Sequence, residues 1–102
     1  MAFAACGSSS SDNGGKADAT AACQTLARSG GNLSHPTLSV GYRLIGAGNL
    51  GVAAAGEDPS AYGNLSKPMK QVQTDVNLNS TTRTSADVKS ALAACKADKL
   101  PS

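Results

Sequence analysis

The sequence predicts an all-α fold: a small antiparallel four-helix bundle closed by one disulfide, with a disordered N-terminal tether. Four amphipathic segments are joined by short loops, which is typical of such bundles. Two cysteines, Cys23 and Cys95, lie in alanine-rich helical patterns near opposite ends of the domain. The chain has 102 residues, of which 18 are alanine and only 16 are leucine, isoleucine, valine or phenylalanine. A single small domain with so thin a core needs covalent support.

The tether is predicted at residues 7–16, after a short apolar segment at residues 1–6. Its sequence, G-S-S-S-S-D-N-G-G-K, is a polar run that buries no apolar surface, so we expect it to be disordered. The helical domain then covers residues 17–102. Its first helix is predicted at residues 17–29, because two glycines follow. The residues expected to face inward are Ala19, Cys23, Leu26 and Ala27.

The second helix is predicted to begin near Ser34 or His35, with Pro36 in its first turn, and to end at about Ala55. Its expected inward stripe consists of Leu38, Tyr42, Ile45 and Val52. Five glycines lie within this segment or at its end, and an interior glycine costs up to ~1 kcal/mol relative to alanine. Two alternatives stay open: a helix that packs very closely on its neighbours, or no helix.

The third helix is predicted to begin with Asp58 as its N-cap and Pro59 at its first position. Apolar residues then recur at spacings of three and four, as in a helix that faces a bundle: Tyr62, Leu65, Met69, Val72 and Val76. Pro68 interrupts this stripe, so we expect a kink or a restart near Ser66.

The fourth helix is predicted after a polar loop at residues 77–84, with Thr84 or Ser85 as its cap. Lys96 and Lys99 lie at its carboxyl end, where cations stabilise the helix dipole. The residues expected to face inward are Val88, Ala91, Leu92 and Cys95.

The charge balance argues against nucleic acid as a partner. The net charge is +2 and the pI is about 8.5, whereas nucleic-acid-binding domains are more basic and gather their lysines and arginines on one face. Two tyrosines, one phenylalanine and no tryptophan leave little for base stacking. The residue pattern contains no catalytic constellation, so we expect a protein that is not an enzyme.

Three cysteines are an odd count, which leaves one thiol over after a disulfide forms. A bridge between Cys23 and Cys95 would close a loop of about 73 residues and contribute on the order of 4 kcal/mol. Zinc needs about four close ligands, and the chain offers three separated cysteines and His35, so no metal and no cofactor is predicted. The alternatives are buried inert thiols, or a catalytic cysteine that meets His35 in space.

The amino terminus resembles the processing site of bacterial lipoproteins. Phe3, Ala4 and Ala5 lead directly to Cys6, and the polar tether follows. This pattern resembles the lipobox of the small lipoproteins of high-GC Gram-positive bacteria. The resemblance implies that Cys6 carries a diacylglycerol and becomes the new amino terminus. It also implies an extracytoplasmic protein, anchored to the cell membrane or secreted, with the membrane as a partner.

Five residues precede Cys6, whereas a signal peptide needs a basic region and an apolar region of 7 to 15 residues before its cleavage site. We therefore expect Met1 to be an internal methionine of a longer precursor, and residues 1–6 to be the remnant of its signal and lipobox. The tether would hold the domain on the order of 17 Å from the membrane on average. The alternative is a free surface cysteine in a cytosolic tail.

Gly46, Gly48 and Gly51 form a G-x-G-x-x-G motif that resembles the dinucleotide-binding fingerprint. Such a site needs a strand before the motif, at residues 40–45, and a long crossover helix after it. The breakers at residues 56–59 end that helix early. A truncated dinucleotide-binding domain is thus one alternative. The other interpretation is that small residues let the second helix approach its neighbours closely.

His35, Tyr42 and Tyr62 are the candidates for a ligand site, since histidine and tyrosine both ligate haem iron. Their ordinary interpretations are an exposed helix start for His35 and core positions with hydrated hydroxyls for the tyrosines. The sequence therefore favours a surface-anchored, non-catalytic binding or structural module for an unknown protein or small ligand. A small-ligand or haem carrier is the alternative.

Overall fold

The protein is described by a computed structural model that covers residues 2–30 and 38–101, with side chains at residues 14–29, 38–80 and 82–101. Every element within these ranges is helical, which confirms the all-α class. The elements in chain order are α1 (Ala2–Gly30), α2 (Leu38–Glu57), α3 (Pro59–Tyr62), a 3₁₀ turn (Gly63–Leu65), α4 (Ser66–Asn77) and α5 (Thr81–Ala97).

Helix α1 begins much earlier than its sequence predicts. It runs from Ala2, so residues 7–16 are helical in place of the expected disordered tether. Gly14 and Gly15 are buried, and a Cβ added to Gly15 would lie 3.3 Å from the Cβ of Asp58. Packing of this glycine face on the chain after α2 overrides the low helix propensity of glycine.

The inward face of α1 is close to the predicted one. Ala19, Cys23 and Leu26 are fully buried, as expected. Ala27 is exposed, and Ala22 and Ser29 are buried instead. The buried face thus follows the positions three and four residues apart that contact α2 and α5.

Helix α2 is helical through all its glycines, but its predicted stripe is wrong. Leu38 and Tyr42 are 76% and 67% exposed, and Ile45 and Val52 are half-buried. The buried face consists of Val40, Leu44, Ala47, Gly48, Gly51, Ala54 and Ala55. Small residues allow a shorter distance between helix axes, so the face that packs best is the one with the least side-chain volume.

The third predicted helix is interrupted where Pro68 suggests. Asp58 caps α3, its carboxylate accepting a hydrogen bond of 3.2 Å from the Ala61 amide. The 3₁₀ turn follows, and α4 restarts at Ser66. Pro68 therefore lies in the first turn of α4, where no intrahelical donor is lost. Of the predicted stripe, Leu65, Met69 and Val72 are buried, and Tyr62 and Val76 are half-buried.

The last helix starts four residues before the predicted cap. Asn79, with φ of 57°, ends α4, and the Ser80 amide donates to the Asp75 carbonyl at 3.0 Å. The Ser80 side chain then caps α5 by accepting from the Arg83 amide at 3.4 Å. Thr84, a predicted cap, is 5% exposed inside the helix. A left-handed residue followed directly by a serine makes a three-residue turn, residues 78–80, in place of the predicted loop.

Contacts fix the direction of α4 relative to α2. A Cβ on Gly41 would lie 3.7 Å from Val76, and one on Gly51 would overlap Met69. Early residues of α2 therefore meet late residues of α4, and these two helices run in opposite directions. The core lies between the four long helices α1, α2, α4 and α5, and Leu100 covers its end after α5.

Candidate functional site

The best-defined chemical feature is the disulfide between Cys23 and Cys95, which confirms the predicted pairing. It joins α1 to α5 across 72 positions of sequence, with 6.0 Å between the Cα atoms. Both cysteines are fully buried in the core. Neither sulfur is therefore available as a nucleophile or a metal ligand. The role of the disulfide is structural.

Two predicted site residues fall where side chains are not described. Cys6 lies in the first turns of α1, and its side chain is outside the described residues. His35 lies outside them altogether. The lipid anchor on Cys6 and a ligand role for His35 stay predictions of the sequence, whereas the bridge rules out Cys23 or Cys95 as a catalytic partner of His35.

The two candidate ligand tyrosines are not brought together. Tyr42 is 67% exposed in the second turn of α2. Tyr62 follows the opposite end of that helix, half-buried against the core and close to Gly15. The 15 residues from Tyr42 to Glu57 alone extend about 22 Å along a helix. The two tyrosines therefore do not line one pocket, and a site that pairs His35 with either of them stays a prediction.

The glycine motif has a packing role in the structure. Residues 40–45 are helical, so the strand required by a dinucleotide site is missing. A Cβ on Gly48 would overlap Gln73, and one on Gly51 would overlap Met69. Gly46 faces open space. The interpretation in which small residues permit close helix approach is confirmed for Gly48 and Gly51.

The space above Gly48 is used by a polar side chain. Gln73 crosses from α4, and its Nε2 donates to the Ile45 carbonyl at 3.0 Å and to Asn49 Oδ1 at 2.7 Å. These bonds fix the register of α4 on α2. We refer to this contact, formed by Gly48, Gly51, Met69 and Gln73, as the glycine seam.

A pair of carboxyl groups lies between α4 and α5. Asp75 is fully buried, and neither of its carboxyl oxygens has a hydrogen-bond donor among the described neutral and cationic groups. The half-buried Asp87 faces it. A hydrogen bond with Asp75 raises the pKa of Asp87 to about 6, helped by burial and charge repulsion and opposed by Arg83. Below about pH 6, the protonated Asp87 therefore supplies the donor that Asp75 lacks.

A second pair joins α1 to α2 at the other end of the bundle. The Glu57 carboxyl is hydrogen-bonded to Asp18, and this bond, with desolvation and repulsion, raises the pKa of Glu57. Four acidic residues are therefore arranged as two carboxyl pairs that span helix interfaces. Neither pair was found in the sequence. The signal available in the sequence was helical spacing. Asp75 follows the inward Val72 by three residues and Asp87 directly precedes the inward Val88, so both aspartates lie at or beside the buried faces of their helices.

The described residues hold neither a metal-binding cluster nor a membrane-spanning helix. They contain no group of three or more histidine, cysteine, aspartate or glutamate side chains that can hold a metal ion. Among their helices, none is both long and apolar enough to cross a membrane. A shallow, open depression on α1 is lined by residues of that helix alone: Lys16, Ala17, Thr20, Ala21 and Gln24.

Comparison with known proteins finds no match. No protein-family model, no curated protein and no solved structure matches this chain. A functional proposal therefore depends on the residues themselves.

Proposed function

We propose that the protein is an extracytoplasmic, lipid-anchored binding module without catalytic activity. The observation that carries the proposal is the buried bridge between Cys23 and Cys95. Disulfides persist in oxidising compartments outside the cytoplasm and stabilise small domains whose cores are too thin to fold alone. The core here fits that description, because seven of its fifteen buried residues are alanine or cysteine.

Cys6 is the proposed anchor. A diacylglycerol at its sulfur would supply the two acyl chains that stable membrane attachment requires. Helix α1 carries Cys6 nine residues before Gly15, where its packing on the bundle begins. As a helix this segment spans about 13 Å. The anchor would then be held at the end of the bundle where α2 ends.

The anchor is tested by lipidation in bacteria. The chain is placed behind a basic and an apolar signal region, with residues 3–6 kept as the cleavage site, and cells are fed an alkyne fatty acid. We expect the label on the wild-type chain and in the membrane fraction, and no label on Cys6→Ala. A labelled Cys6→Ala chain, or an unlabelled wild-type chain, would contradict the proposal.

The compartment is tested by the thiols of the same exported protein. Alkylation before and after reduction, followed by intact-mass measurement, counts free and bridged cysteines. We expect Cys23 and Cys95 to resist alkylation until they are reduced. Free thiols at both positions in the exported, unfolded chain would contradict an extracytoplasmic role for the bridge.

A further inference from the structure

Helix α2 is apolar on two faces, and the bundle buries one of them. Residues 38–56 contain a single charged side chain, Arg43, whereas a surface helix usually carries several charges on its solvent side. The face turned away from the core is called here the outer face of α2. It consists of residues that are exposed, half-buried or next to open space: Leu38, Tyr42, Ile45, Gly46, Asn49, Val52, Ala53 and Gly56. Depletion of charge is typical of the centre of a protein interface.

The larger side chains of the outer face follow the spacing of helices that pair. Leu38, Tyr42, Ile45, Asn49 and Val52 are four, three, four and three residues apart. This repeat forms one stripe along a helix, and a single asparagine within such a stripe fixes the register of the pair. Gln73 donates to the Oδ1 of Asn49 at 2.7 Å, and the NH₂ group of Asn49 has no acceptor among the described residues.

Two glycines of the outer face have no packing role within the single chain. A Cβ on Gly46 or Gly56 would meet nothing within 4 Å, whereas one on Gly48 or Gly51 would overlap α4. A glycine inside a helix costs up to ~1 kcal/mol relative to alanine. The glycine seam offsets that cost by close approach of α4. A second helix on the outer face would give Gly46 and Gly56 the same role.

The outer face is complementary in size to itself when two copies run in opposite directions. In a two-fold contact, residue i of one copy meets residue j of the other, and j meets i. With Asn49 at the axis, positions equally far before and after it face each other. Each large side chain then meets a small one, which permits close approach of the helices: Tyr42 with Gly56, Ile45 with Ala53, and Val52 with Gly46.

Charges at the edge of the outer face favour the same arrangement. Arg43 is exposed and has no ion pair within the described part of the chain. Glu57 is exposed and hydrogen-bonded to Asp18, so two carboxyls lie together there. The 14 positions from Arg43 to Glu57 are close to four whole turns, so both residues lie on one edge of α2.

An antiparallel two-fold pair brings these matching edges together. Arg43 of one copy then lies two positions, about 3 Å along the helix, from the level of Glu57 of the other. A parallel pair keeps the two residues about 21 Å apart along the axis. Opposite charges at the rim therefore select the antiparallel direction.

We propose that two copies of the chain bind each other through the outer faces of α2, antiparallel, with Asn49 near the two-fold axis. A second copy is favoured over a lipid surface, because helices that lie on membranes carry many lysines and arginines beside their apolar face. The size pairs and the opposite charges of Arg43 and Glu57 occur on this one surface, as self-association requires. The inference goes beyond the proposed function and does not depend on it.

The test uses the full chain with Cys6→Ser, which removes the free thiol, and sedimentation equilibrium over about a hundredfold range of protein concentration. We expect a reversible equilibrium between monomer and dimer. Arg43→Glu alone and Glu57→Arg alone should each raise the dimer Kd about tenfold, since each replaces two attractive contacts by two repulsive ones. An equimolar mixture of the two variants should dimerise like the wild-type chain, because every altered residue then faces an opposite charge.

Matched apolar variants locate the surface. Tyr42→Ser is expected to raise Kd at least tenfold, because tyrosines often carry much of the binding energy of an interface. Leu78→Ser changes a residue of similar exposure, 60% against 67% for Tyr42, at the end of α4 and should alter Kd less than twofold. Circular dichroism and intact mass of the bridged chain check that each variant folds. Unfolding at concentrations below Kd reports on the single chain.

Three results would overturn the proposal. They are a chain that stays monomeric over the whole range, equal losses from Tyr42→Ser and Leu78→Ser, and a mixture of the two charge variants that dimerises no better than each alone. The protein tested carries no lipid. Failure here therefore leaves the anchor proposal untouched, and failure of lipidation at Cys6 leaves this one untouched.

Discussion

The two sides of α4 hold their neighbouring helices by different physics. Toward α2, Met69 and Gln73 fill the space left by Gly51 and Gly48, and no titratable group takes part. Toward α5, the buried Asp75 faces Asp87 and raises its pKa to about 6. The first contact is set by shape and is independent of pH. The second weakens when Asp87 loses its proton. Helix α4 thus has one pH-independent interface and one titratable interface.

The largest effect is expected from the disulfide, which joins α1 to α5 outside both of these interfaces. Cys23→Ala with Cys95→Ala should lower the free energy of unfolding by on the order of 4 kcal/mol, because the unfolded chain regains a loop of 72 positions. That is comparable to the whole stability of so small a core. Urea unfolding followed by circular dichroism measures it, and an unchanged midpoint would contradict the role assigned to the bridge.

The glycine seam is broken by a single methyl group. Gly51→Ala should destabilise the protein by about 1–3 kcal/mol, since the new Cβ overlaps the fully buried Met69 side chain. This loss exceeds the gain in helix propensity, which is at most ~1 kcal/mol. Thermal unfolding of the variant measures the balance.

Gly46→Ala is the matched control for the seam. It adds the same methyl to the same helix, where nothing lies within 4 Å. Only the propensity term remains, so we expect up to ~1 kcal/mol of stabilisation. If both variants shift stability in the same direction, close approach at Gly51 is not what the glycine provides.

The contact between Asp75 and Asp87 predicts that the free energy of unfolding falls as the pH rises. The pKa of Asp87 is higher in the folded protein, about 6, than its ordinary value of 3.8. The folded state therefore binds the proton more tightly, and its stabilisation is complete below about pH 4 and lost as pH rises through about 6. The loss should be about 1 kcal/mol, because solvent reaches the half-buried Asp87 and weakens the interaction.

Asp87→Asn should remove this dependence, since the amide of asparagine donates to Asp75 at every pH. Urea midpoints from pH 4 to 7.5 provide the comparison with the wild-type chain. Glu57→Gln alters only the exposed pair and should retain the decline near pH 6. A wild-type midpoint that is flat over this range would be inconsistent with the raised pKa of Asp87.

The smallest effect concerns the turn that leads from α4 to α5. Ser80→Ala should cost about 0.5–1 kcal/mol, at the low end for an N-cap because its hydrogen bond is long, at 3.4 Å. Ser85→Ala, at a position expected from the sequence to cap this helix, should change stability little. Thermal unfolding separates the two, and a larger effect at Ser85 would restore the later helix start.

Prediction from sequence succeeded where one local signal agreed with the fold. Asp58 and Pro59 marked a helix start, and Pro68 marked the restart of α4, because capping and proline chemistry act within one turn. It failed on the face of α2. Leu38 and Tyr42 looked like core residues by hydrophobicity, and the packed face was chosen instead by the small volume of Gly48 and Gly51.

The predictions of site residues also succeeded in some cases and failed in others. Cys23 and Cys95 were paired from their positions in two helical patterns, and the structure has this bridge. Tyr42 and Tyr62 were each predicted as a possible partner of His35 from residue type alone, and the structure places them near opposite ends of α2. Pairing of Asp75 with Asp87 had no signal strong enough to predict it, because it depends on the register between two helices.

The sequence by itself determined the helical class, the points where one helix ends and the next begins near Asp58 and Pro68, and the disulfide. These follow from residue spacing, helix caps and the number of cysteines. Only the tertiary structure decided which face of α2 is buried, how far α1 extends and which carboxyls face each other. Those outcomes depend on distances between residues far apart in the chain. Such distances are set when whole helix surfaces pack together.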